Sequence, residues 1–377
     1  MLAIILPVIL LMFGLWGPPQ LWKTIREVIQ GPKKHHDYFS VEHAAYSYAQ
    51  YRTLALAEVT AMRNSYVKLS RAHKRIGYDL GYPAKLRTLE ELTALNAHVT
   101  DAIADLAHSE HPGLAEAASG DLGRVRETLK HFVRDWSTEG AAERAAILTP
   151  VLDVLRRVPP ARRAEMRVLV PGAGLGRLAW EISELGFDTT ANELSAFMTR
   201  ALRFLLAPHT TARAEQHTLH PYAYWFSHQR SSAALFRGVR FPDVLPRLGP
   251  RLRLAEGDFL AHRGAYDVLA TLFFVDTAIN AIATLEHIYA LLRPGGTWIN
   301  LGPLLWPGGA QARVELSLDE VLRLAEMVGF EIEGEGGRPV EAEALRRRSV
   351  RCEYTGDSQA MMKYMYDAEF WVARKPV

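Results

Sequence analysis

The stretch VLVPGAGLGRLAWEISELGFDTTANELS, residues 168–195, has the pattern of a nucleotide-binding βαβ unit. A short apolar run predicts a strand, the turn Gly172-x-Gly174-x-Gly176 follows it, and apolar residues at helical spacing come next. A second strand then ends on the carboxylate of Glu193. Because glycine has no Cβ, the turn can bend sharply and let a ligand approach the backbone. The pattern predicts a bound nucleoside cofactor; its alternative is a tight turn between strand and helix that binds nothing.

The residues after the glycine turn narrow the choice of cofactor. The G-x-G-x-G spacing differs from the dinucleotide pattern G-x-G-x-x-G. A carboxylate at the position of Glu193 can accept hydrogen bonds from ribose hydroxyls in both NAD enzymes and methyltransferases, so it predicts a ribose without identifying the cofactor. Its alternative is a solvated glutamate at a strand end. In EGDFL, Asp258 can accept from an adenine amine, and Phe259 offers an apolar face to the ring.

A second motif, LLRPGGTWINLGPL, decides between the candidate cofactors. Pro294 predicts the end of a helix, and the two glycines after it reverse the chain before a strand. This helix–PGG–strand element is typical of class I methyltransferases and not of NAD-binding domains. Together with a C-terminal antiparallel strand, it predicts that the cofactor is S-adenosylmethionine.

The wider pattern predicts an α/β protein with a Rossmann-like class I methyltransferase sheet in residues 161–377. Short apolar runs that alternate with helices predict a mostly parallel sheet with its ligands at the carboxyl ends of the strands. The period-2 run AMMKYMYDAEFWVARK predicts the final antiparallel strand. Residues 31–160 form the predicted N-terminal helical region. Within it, residues 41–70 predict one long helix, and Thr88-x-x-Glu91 predicts a capping box at the start of another.

Residues 1–30 form a separate apolar N-terminal segment. Residues 1–17 are continuously apolar apart from Pro7, and Lys23, Arg26, Lys33 and Lys34 follow them. A bilayer-spanning helix needs about 17–25 residues, so this run is marginal in length. Three interpretations stay open: a short membrane anchor that leaves the catalytic domain on the cytoplasmic face, a buried apolar arm, or an extension from an upstream start codon.

Composition excludes several classes of function. The formal net charge of the 377 residues is only +2, which does not favour nucleic acid as a partner. The single cysteine, Cys352, excludes an intrachain disulfide framework and a multi-cysteine zinc site. The 14 histidines show no H-E-x-x-H spacing, so no metal is predicted.

Several motifs closely resemble the carnosine N-methyltransferase family. They are VLVPGAGLGRLAWEI, NELS, GDF, FFVDTAIN, RPGGTWINLGPLL, MMKYMYDAEFWVARKP and the helical LKHFVRDWSTEGAAER. The likeness runs from about Phe39 to Pro376 and leaves residues 1–30 outside. Family members methylate an imidazole nitrogen of the dipeptide carnosine. The resemblance implies cofactor contacts at His131 (usually glutamine in the family), Arg134, Gly172, Glu193, Asp258 and Phe259. Without it, a surface ion pair with Asp135 would be the expected role of Arg134.

The same resemblance implies an acceptor site. Asp276 corresponds to the family's substrate-binding aspartate, and Tyr364 and Tyr366 correspond to two pocket tyrosines. Placed two apart on a strand, these tyrosines would share a face with Phe370; an aromatic stripe in the core is the alternative. We expect Asp276 to accept a hydrogen bond from the imidazole N–H that is not methylated and to stabilise the imidazolium that forms.

Two departures from the family concern the methyl acceptor. Pro307 and Ile279 stand where family members carry pocket histidines. The first hypothesis is therefore a small-molecule N-methyltransferase that acts on carnosine or a related imidazole. The second is a membrane-anchored protein or peptide methyltransferase with a rebuilt acceptor pocket. A third is a cofactor-binding protein that has lost catalysis.

Overall fold

The computed structural model describes residues 39–308, 311–335 and 340–377. The apolar segment 1–30 lies outside the described residues, so its interpretation stays a prediction. Within the described ranges, no helix is both long enough and apolar enough to cross a membrane. Residues Val41–Val377 make up one compact unit.

A helical region precedes the sheet. Its helices are α1 (Val41–Ala49), α2 (Tyr51–Val67), α3 (Arg71–Asp79), α4 (Tyr82–Glu110), α5 (Leu122–Trp136), α6 (Ala141–Arg156) and the short α7 (Pro160–Arg163).

Strands and helices alternate from residue 167 onward. The strands are β1 (Arg167–Pro171), β2 (Asp188–Glu193), β3 (His217–Leu219), β4 (Val239–Phe241), β5 (Leu252–Glu256), β6 (Tyr266–Leu272), β7 (Leu292–Gly302), β8 (Glu331–Ile332), β9 (Arg348–Glu353) and β10 (Met365–Arg374). The helices between them are α8 (Arg177–Glu184), α9 (Ala196–Leu206), α10 (Ser232–Phe236), α11 (Ala281–Leu291) and α12 (Leu318–Val328).

The main sheet confirms the predicted fold class. Its strand order is β5-β2-β1-β6-β7-β10-β8, and β9 pairs with β10 outside this path. Strands β5, β2, β1, β6 and β7 are parallel, whereas β10 is antiparallel to β7, β8 and β9. The last strand in sequence therefore lies between β7 and β8, as expected of a class I methyltransferase sheet.

Strand β1 explains why its sequence is an unbroken apolar run. Val168 and Val170 belong to the core cluster that includes residues of α6 and α8, whereas Leu169 belongs to the cluster with residues of α11 and α12. Successive side chains of a strand point to opposite faces. Because helices cover both faces, both sets of side chains must be apolar.

The helical region packs against the start of the α/β fold. Tyr48, Phe132 and Trp136 share a core cluster with Phe197 of α9. The indole Nε1 of Trp136 donates to the carbonyl of Leu175, inside the glycine turn, at 2.8 Å. The end of α5 is therefore bound directly to the turn that the sequence singles out.

Two local predictions in the helical region were wrong. The helix predicted over residues 41–70 is interrupted at Gln50. Helix α4 begins at Tyr82, before the predicted capping box at Thr88, because Gly81 adopts a left-handed conformation at the N-cap and Pro83 occupies the first turn. Proline favours that turn, since the turn needs no N–H and its φ angle is already helical.

Candidate cofactor and acceptor site

The glycine turn between β1 and α8 presents an open backbone. Gly172, Gly174 and Gly176 have φ angles of 63°, 56° and 74°, in the left-handed region that favours glycine. A Cβ on Gly172 would lie 2.5 Å from the ring of Phe274, whereas a Cβ on Gly174 would meet nothing within 4 Å. Gly172 is therefore required by packing, and Gly174 faces space that a ligand can occupy.

Glu193 lies at the carboxyl end of β2, beside this turn. Its Oε2 accepts from the Gly174 N–H at 2.8 Å, and its Oε1 accepts from the Ser195 N–H at 2.8 Å. The residue is buried, and burial raises the pKa of its carboxyl while the backbone N–H groups oppose that shift. Each carboxylate oxygen has further lone pairs. Both oxygens can therefore also accept from the two hydroxyls of a ribose.

Asp258 and Phe259 follow β5 at the same edge of the sheet. Asp258 is exposed, and its carboxylate accepts from the Leu260 N–H at 2.9 Å. Phe259 is buried, and its ring centroid lies 5.2 Å from that of Phe274 in an edge-on arrangement. Since Phe274 also packs against Gly172, an apolar wall continues from the glycine turn to Phe259.

Arg134, near the end of α5, is buried and paired with its neighbour Asp135. Its Nε and Nη2 donate to the two carboxylate oxygens of Asp135 at 2.7 and 3.0 Å. Its guanidinium lies 5.2 Å from the centroid of the Tyr354 ring. A surface ion pair is therefore excluded, because only 9% of Arg134 is exposed.

His131, one helical turn before Arg134, has a ring nitrogen available in the interior. Its Nδ1 has no hydrogen-bond partner among the described residues and lies 3.7 Å from Asp135 Oδ2, too far for a hydrogen bond. Burial, and then the charge of Arg134, lower the pKa of the imidazole. A neutral buried nitrogen of this kind can pair with a polar group of a ligand.

A guanidinium network fixes the end of α5 to the glycine turn. Arg177, the first residue of α8, donates to the backbone carbonyl of Asp135 at 3.0 Å and to Asp243 at 2.7 Å. Arg144 of α6 donates to the carbonyl of Arg134 at 2.8 Å and to Asp243 at 2.6 Å. The carbonyls that a helix leaves unpaired at its end are satisfied here by arginine side chains. Asp243 and its two arginines therefore position Arg134, a role that no sequence motif indicated.

Asp276 lies where β6 and β7 end. It belongs to a 3₁₀ turn (Val275–Thr277) just after β6, and its Oδ2 accepts from the N–H of Leu305, just after β7, at 2.9 Å. It is only 6% exposed, and burial raises the pKa of its carboxyl to about 6. The sequence predicted that Asp276 follows this strand at the edge of the sheet where the parallel strands have their carboxyl ends. Asp276 lies there, but β6 itself ends four residues earlier, at Leu272.

Phe273, three residues before Asp276, belongs to a cluster of aromatic side chains. The ring of Phe273 lies 5.0 Å from Tyr354 and 5.9 Å from Tyr366, between ring centroids. The Tyr354 hydroxyl is 3.4 Å from His131 Nε2, and burial raises the pKa of Tyr354 to about 12. Sequence reasoning missed Tyr354. The period-2 pattern of β9 could have indicated it, since Tyr354 lies two residues after Cys352 and directly after the strand ends at Glu353.

Tyr364 lies apart from this cluster. The predicted arrangement of Tyr364, Tyr366 and Phe370 on one strand face was wrong for Tyr364, which is 70% exposed and precedes β10. The reason is the pairing of β9 with β10, which begins at Met365 opposite Glu353 and leaves Tyr364 without a strand partner. Tyr366 and Phe370 do belong to one core cluster.

The two positions that depart from the family have backbone roles. The carbonyl of Ile279 accepts from Arg313 N–H at 2.7 Å, and the carbonyl of Pro307 accepts from Ala312 N–H at 3.3 Å. Neither side chain can donate a proton or accept one.

A cavity of about 240 Å³ is lined in part by Arg134. Its other walls include Glu143, Tyr222, Cys352 and Thr355, but none of the glycine turn, Glu193 or Asp276. Over the same described residues, no group of histidine, cysteine, aspartate and glutamate side chains could hold a metal ion.

Comparison with known proteins gives consistent matches. A family profile described as "Carnosine N-methyltransferase" matches residues 114–377. The chain is 38% identical over 272 residues to a carnosine N-methyltransferase of Mus musculus. The aligned residues make up 69% of this chain and 65% of the mouse protein. It is 31% identical over 358 residues to a carnosine N-methyltransferase of Schizosaccharomyces pombe. That alignment covers 86% of this chain and 92% of the yeast protein. The match thus spans slightly less than two thirds of the mouse relative and nearly all of the yeast relative.

Proposed function

The chain belongs to the carnosine N-methyltransferase family, and on that basis we propose that it is an S-adenosylmethionine-dependent N-methyltransferase. Its acceptor is an imidazole nitrogen of carnosine or of a related histidine-containing small molecule; transfer to carnosine gives anserine and S-adenosylhomocysteine. The observation that carries the proposal is the position of Asp276. This buried carboxylate follows β6 at the carboxyl ends of the parallel strands, on the same edge as the glycine turn, and accepts from the backbone N–H of Leu305 after β7.

The residues at the strand ends fit the proposed cofactor. Gly174 leaves space beside its backbone, Glu193 can accept from both ribose hydroxyls, and Phe259 supplies an apolar surface for the adenine. Arg134 is suited to the carboxylate of the methionine part, because Asp135 occupies only two of the five N–H groups of its guanidinium. When bound, S-adenosylmethionine supplies an electrophilic methyl group.

Positioning of the acceptor is the main contribution of the protein. A neutral imidazole nitrogen is already a nucleophile, and with an ordinary pKa of about 6.5 most imidazole is neutral at pH 7. Holding the nucleophile in line with the methyl carbon can contribute about 7–11 kcal/mol in well-oriented cases. We assign Asp276 to accept from the second ring N–H, which selects the tautomer and stabilises the positive charge that develops.

The aromatic cluster would complete the acceptor pocket. Phe273, three residues before Asp276, packs with the rings of Tyr354 and Tyr366, and a planar imidazole can pack against such rings. The presence of Ile279 and Pro307 removes two imidazoles from this pocket relative to the family. We therefore include other imidazoles beside carnosine as candidate acceptors.

A methyl-transfer assay tests the proposal. The full chain is incubated with methyl-labelled S-adenosylmethionine and with carnosine, histidine or N-acetylhistidine, and ring-methylated products are identified by mass spectrometry. We expect labelled product from carnosine or from another of these imidazoles. Label that appears only in proteins of an added cell extract would contradict the proposal and favour a protein methyltransferase.

The variant Asp276→Asn separates acceptor chemistry from cofactor binding. Turnover should fall about 100-fold or more, the order found when one preorganised group that stabilises transition-state charge is removed. The dissociation constant of S-adenosylmethionine, measured by calorimetry, should stay unchanged. Equal turnover in both proteins would remove Asp276 from this role.

A further inference from the structure

Helix α3 and the turns that flank it expose an apolar surface that no other described residues cover. The exposed fractions are 59% for Val67, 44% for Leu69, 57% for Ile76, 72% for Tyr78 and 81% for Leu80. No residue of α3 is buried. Large apolar side chains clustered within so short a segment are unusual on a soluble surface and indicate a place where something docks.

The inner side of α3 is occupied, which determines the side that faces outward. The Tyr66 hydroxyl donates to the carbonyl of Lys74 at 2.5 Å, and a Cβ on Gly77 would lie 2.6 Å from the Tyr66 ring. Gly77 and Lys74 therefore face the body of the helical region. With about 100° of rotation per residue, Arg75 and Ile76 lie on the outward half of the helix, and Arg71 and Leu80 lie at its two opposite borders.

Positive charge borders the apolar side chains. Lys68, Arg71 and Arg75 are exposed, and none of them forms a salt bridge with another described residue. Asp79 is the one acidic residue between positions 67 and 80. The surface thus presents basic groups beside apolar ones, with a net positive charge. We call these residues of 67–80 the α3 surface.

We infer that the α3 surface docks on a bilayer that contains anionic phospholipids. Charge complementarity favours this occupant: a negatively charged headgroup layer can pair with the free lysine and arginine groups, while the apolar side chains enter the acyl boundary below it. A nucleic acid would satisfy the charges but would leave Val67, Ile76 and Leu80 exposed. A second copy placed two-fold on the same surface would bring like charges together.

This docking would be peripheral and reversible, and it does not depend on residues 1–17. Single amphipathic segments of this kind bind in the plane of the interface and respond to salt, since part of the attraction is screened. It also does not require the proposed methyl transfer, because no residue of the α3 surface belongs to the cofactor or acceptor site.

Vesicle co-sedimentation with the full chain tests the inference. The probes are phosphatidylcholine vesicles with and without 30 mol% phosphatidylserine (roughly the anionic content that attracts basic segments). We compare the wild type with Arg71→Glu/Arg75→Glu and with Ile76→Ser/Leu80→Ser. The matched control is Arg323→Glu/Met327→Ser on α12, where an exposed arginine and a methionine that is 76% exposed lie one turn apart. All substitutions lie at exposed positions, so the thermal midpoint should not change.

The wild type and the control should bind the phosphatidylserine vesicles, less tightly at high salt. Either α3 variant should bind at least about tenfold more weakly, because each basic residue near an anionic surface contributes substantially to the partition. Equal binding to neutral vesicles, or unchanged binding by both variants, overturns the inference. So does a wild-type dimer in analytical ultracentrifugation that Ile76→Ser/Leu80→Ser converts to a monomer without any vesicle binding. Methyl transfer in solution should be unaffected in all variants, which keeps this test separate from that of the proposed function.

Discussion

Asp135 fixes the guanidinium of its neighbour Arg134 through two parallel hydrogen bonds of 2.7 and 3.0 Å in the interior of the helical region. Burial opposes ionisation of Asp135, yet the charge and hydrogen bonds of Arg134, together with the nearby His131, outweigh it and lower the pKa of the carboxyl below its usual range. The backbone carbonyls of both residues are in turn held by Arg144 and Arg177. The pair is therefore a fixed part of the site and not a surface contact.

Breaking this pair should reduce both stability and cofactor affinity. Asp135→Asn leaves the charge of Arg134 buried and uncompensated, a change that typically costs about 3–5 kcal/mol. We expect a lower free energy of unfolding in urea and at least a tenfold rise (about 1.4 kcal/mol) in the dissociation constant of S-adenosylmethionine. Asp153→Asn is the control, since its pair with Arg156 is about half exposed and should contribute less than about 1 kcal/mol. Similar small effects of the two changes would contradict the assigned role.

Two glycines of the same turn should respond differently to alanine. Both Gly172→Ala and Gly174→Ala place a side chain at positive φ, a strain of roughly 1–2 kcal/mol. Gly172→Ala also forces the ring of Phe274 to move, because the new Cβ would lie 2.5 Å from it. We therefore expect the larger drop in thermal midpoint for Gly172→Ala. Gly174→Ala should lose cofactor binding by calorimetry with only the smaller stability loss; retention of full affinity would show that the space beside Gly174 is not the cofactor site.

The stability of the protein should depend on the ionisation of Asp276. Burial raises the pKa of this carboxyl from 3.8 to about 6. A raised pKa means that the folded state prefers the protonated acid, so the stability contribution is complete below pH 3.8 and is lost as pH rises through about 6. That shift corresponds to at most about 3 kcal/mol. Asp276→Asn should thus raise the thermal midpoint at pH 8, and the gain should shrink towards zero near pH 4. Asp319→Asn, at an exposed carboxyl whose pKa is lowered by Ser317, should give no such gain. A gain for Asp276→Asn that does not vary with pH would contradict the buried environment of Asp276.

Replacing Tyr366 should reduce the free energy of unfolding, whereas replacing Tyr364 should not. Tyr366→Ala removes a ring that packs against Phe273 and the core, and we expect a loss of about 1–3 kcal/mol in unfolding free energy together with lower turnover. Tyr364 is exposed and precedes β10, so Tyr364→Ala should leave the unfolding free energy unchanged. If Tyr364 contacts the acceptor as the family implies, the KM for the acceptor should rise while kcat changes little. An unchanged KM would remove Tyr364 from the acceptor site.

Local sequence patterns predicted the conformation of the glycine turn and the position of Glu193. Gly172, Gly174 and Gly176 adopt the positive φ angles that make glycine necessary, and Glu193 does end the strand beside them. These features depend on residues close in sequence, so the strand–turn–helix periodicity was sufficient to place them. The fold class followed in the same way, because buried parallel strands such as β1 and β6 must be apolar on both faces.

Local sequence patterns did not predict where the aromatic residues of the proposed acceptor pocket lie. Tyr354 reaches His131, Arg134 and Phe273 only because β9 pairs with β10 and α5 packs beside them. The separation of Tyr364 from Tyr366 also depends on where that pairing begins. Period-2 alternation predicts faces within a strand but does not indicate where its partner strand ends.

The sequence by itself determined the sheet, the glycine turn with its carboxylate, and the family, because backbone conformation and hydrophobic periodicity are local properties. Only the tertiary structure decided which charges are buried. Asp135 pairs with the buried guanidinium of Arg134. Asp243 accepts hydrogen bonds from Arg144 and Arg177, which belong to different helices. The physical reason is that a buried ion pair depends on desolvation and on contacts between residues far apart in the chain, neither of which is written in the spacing of neighbouring residues.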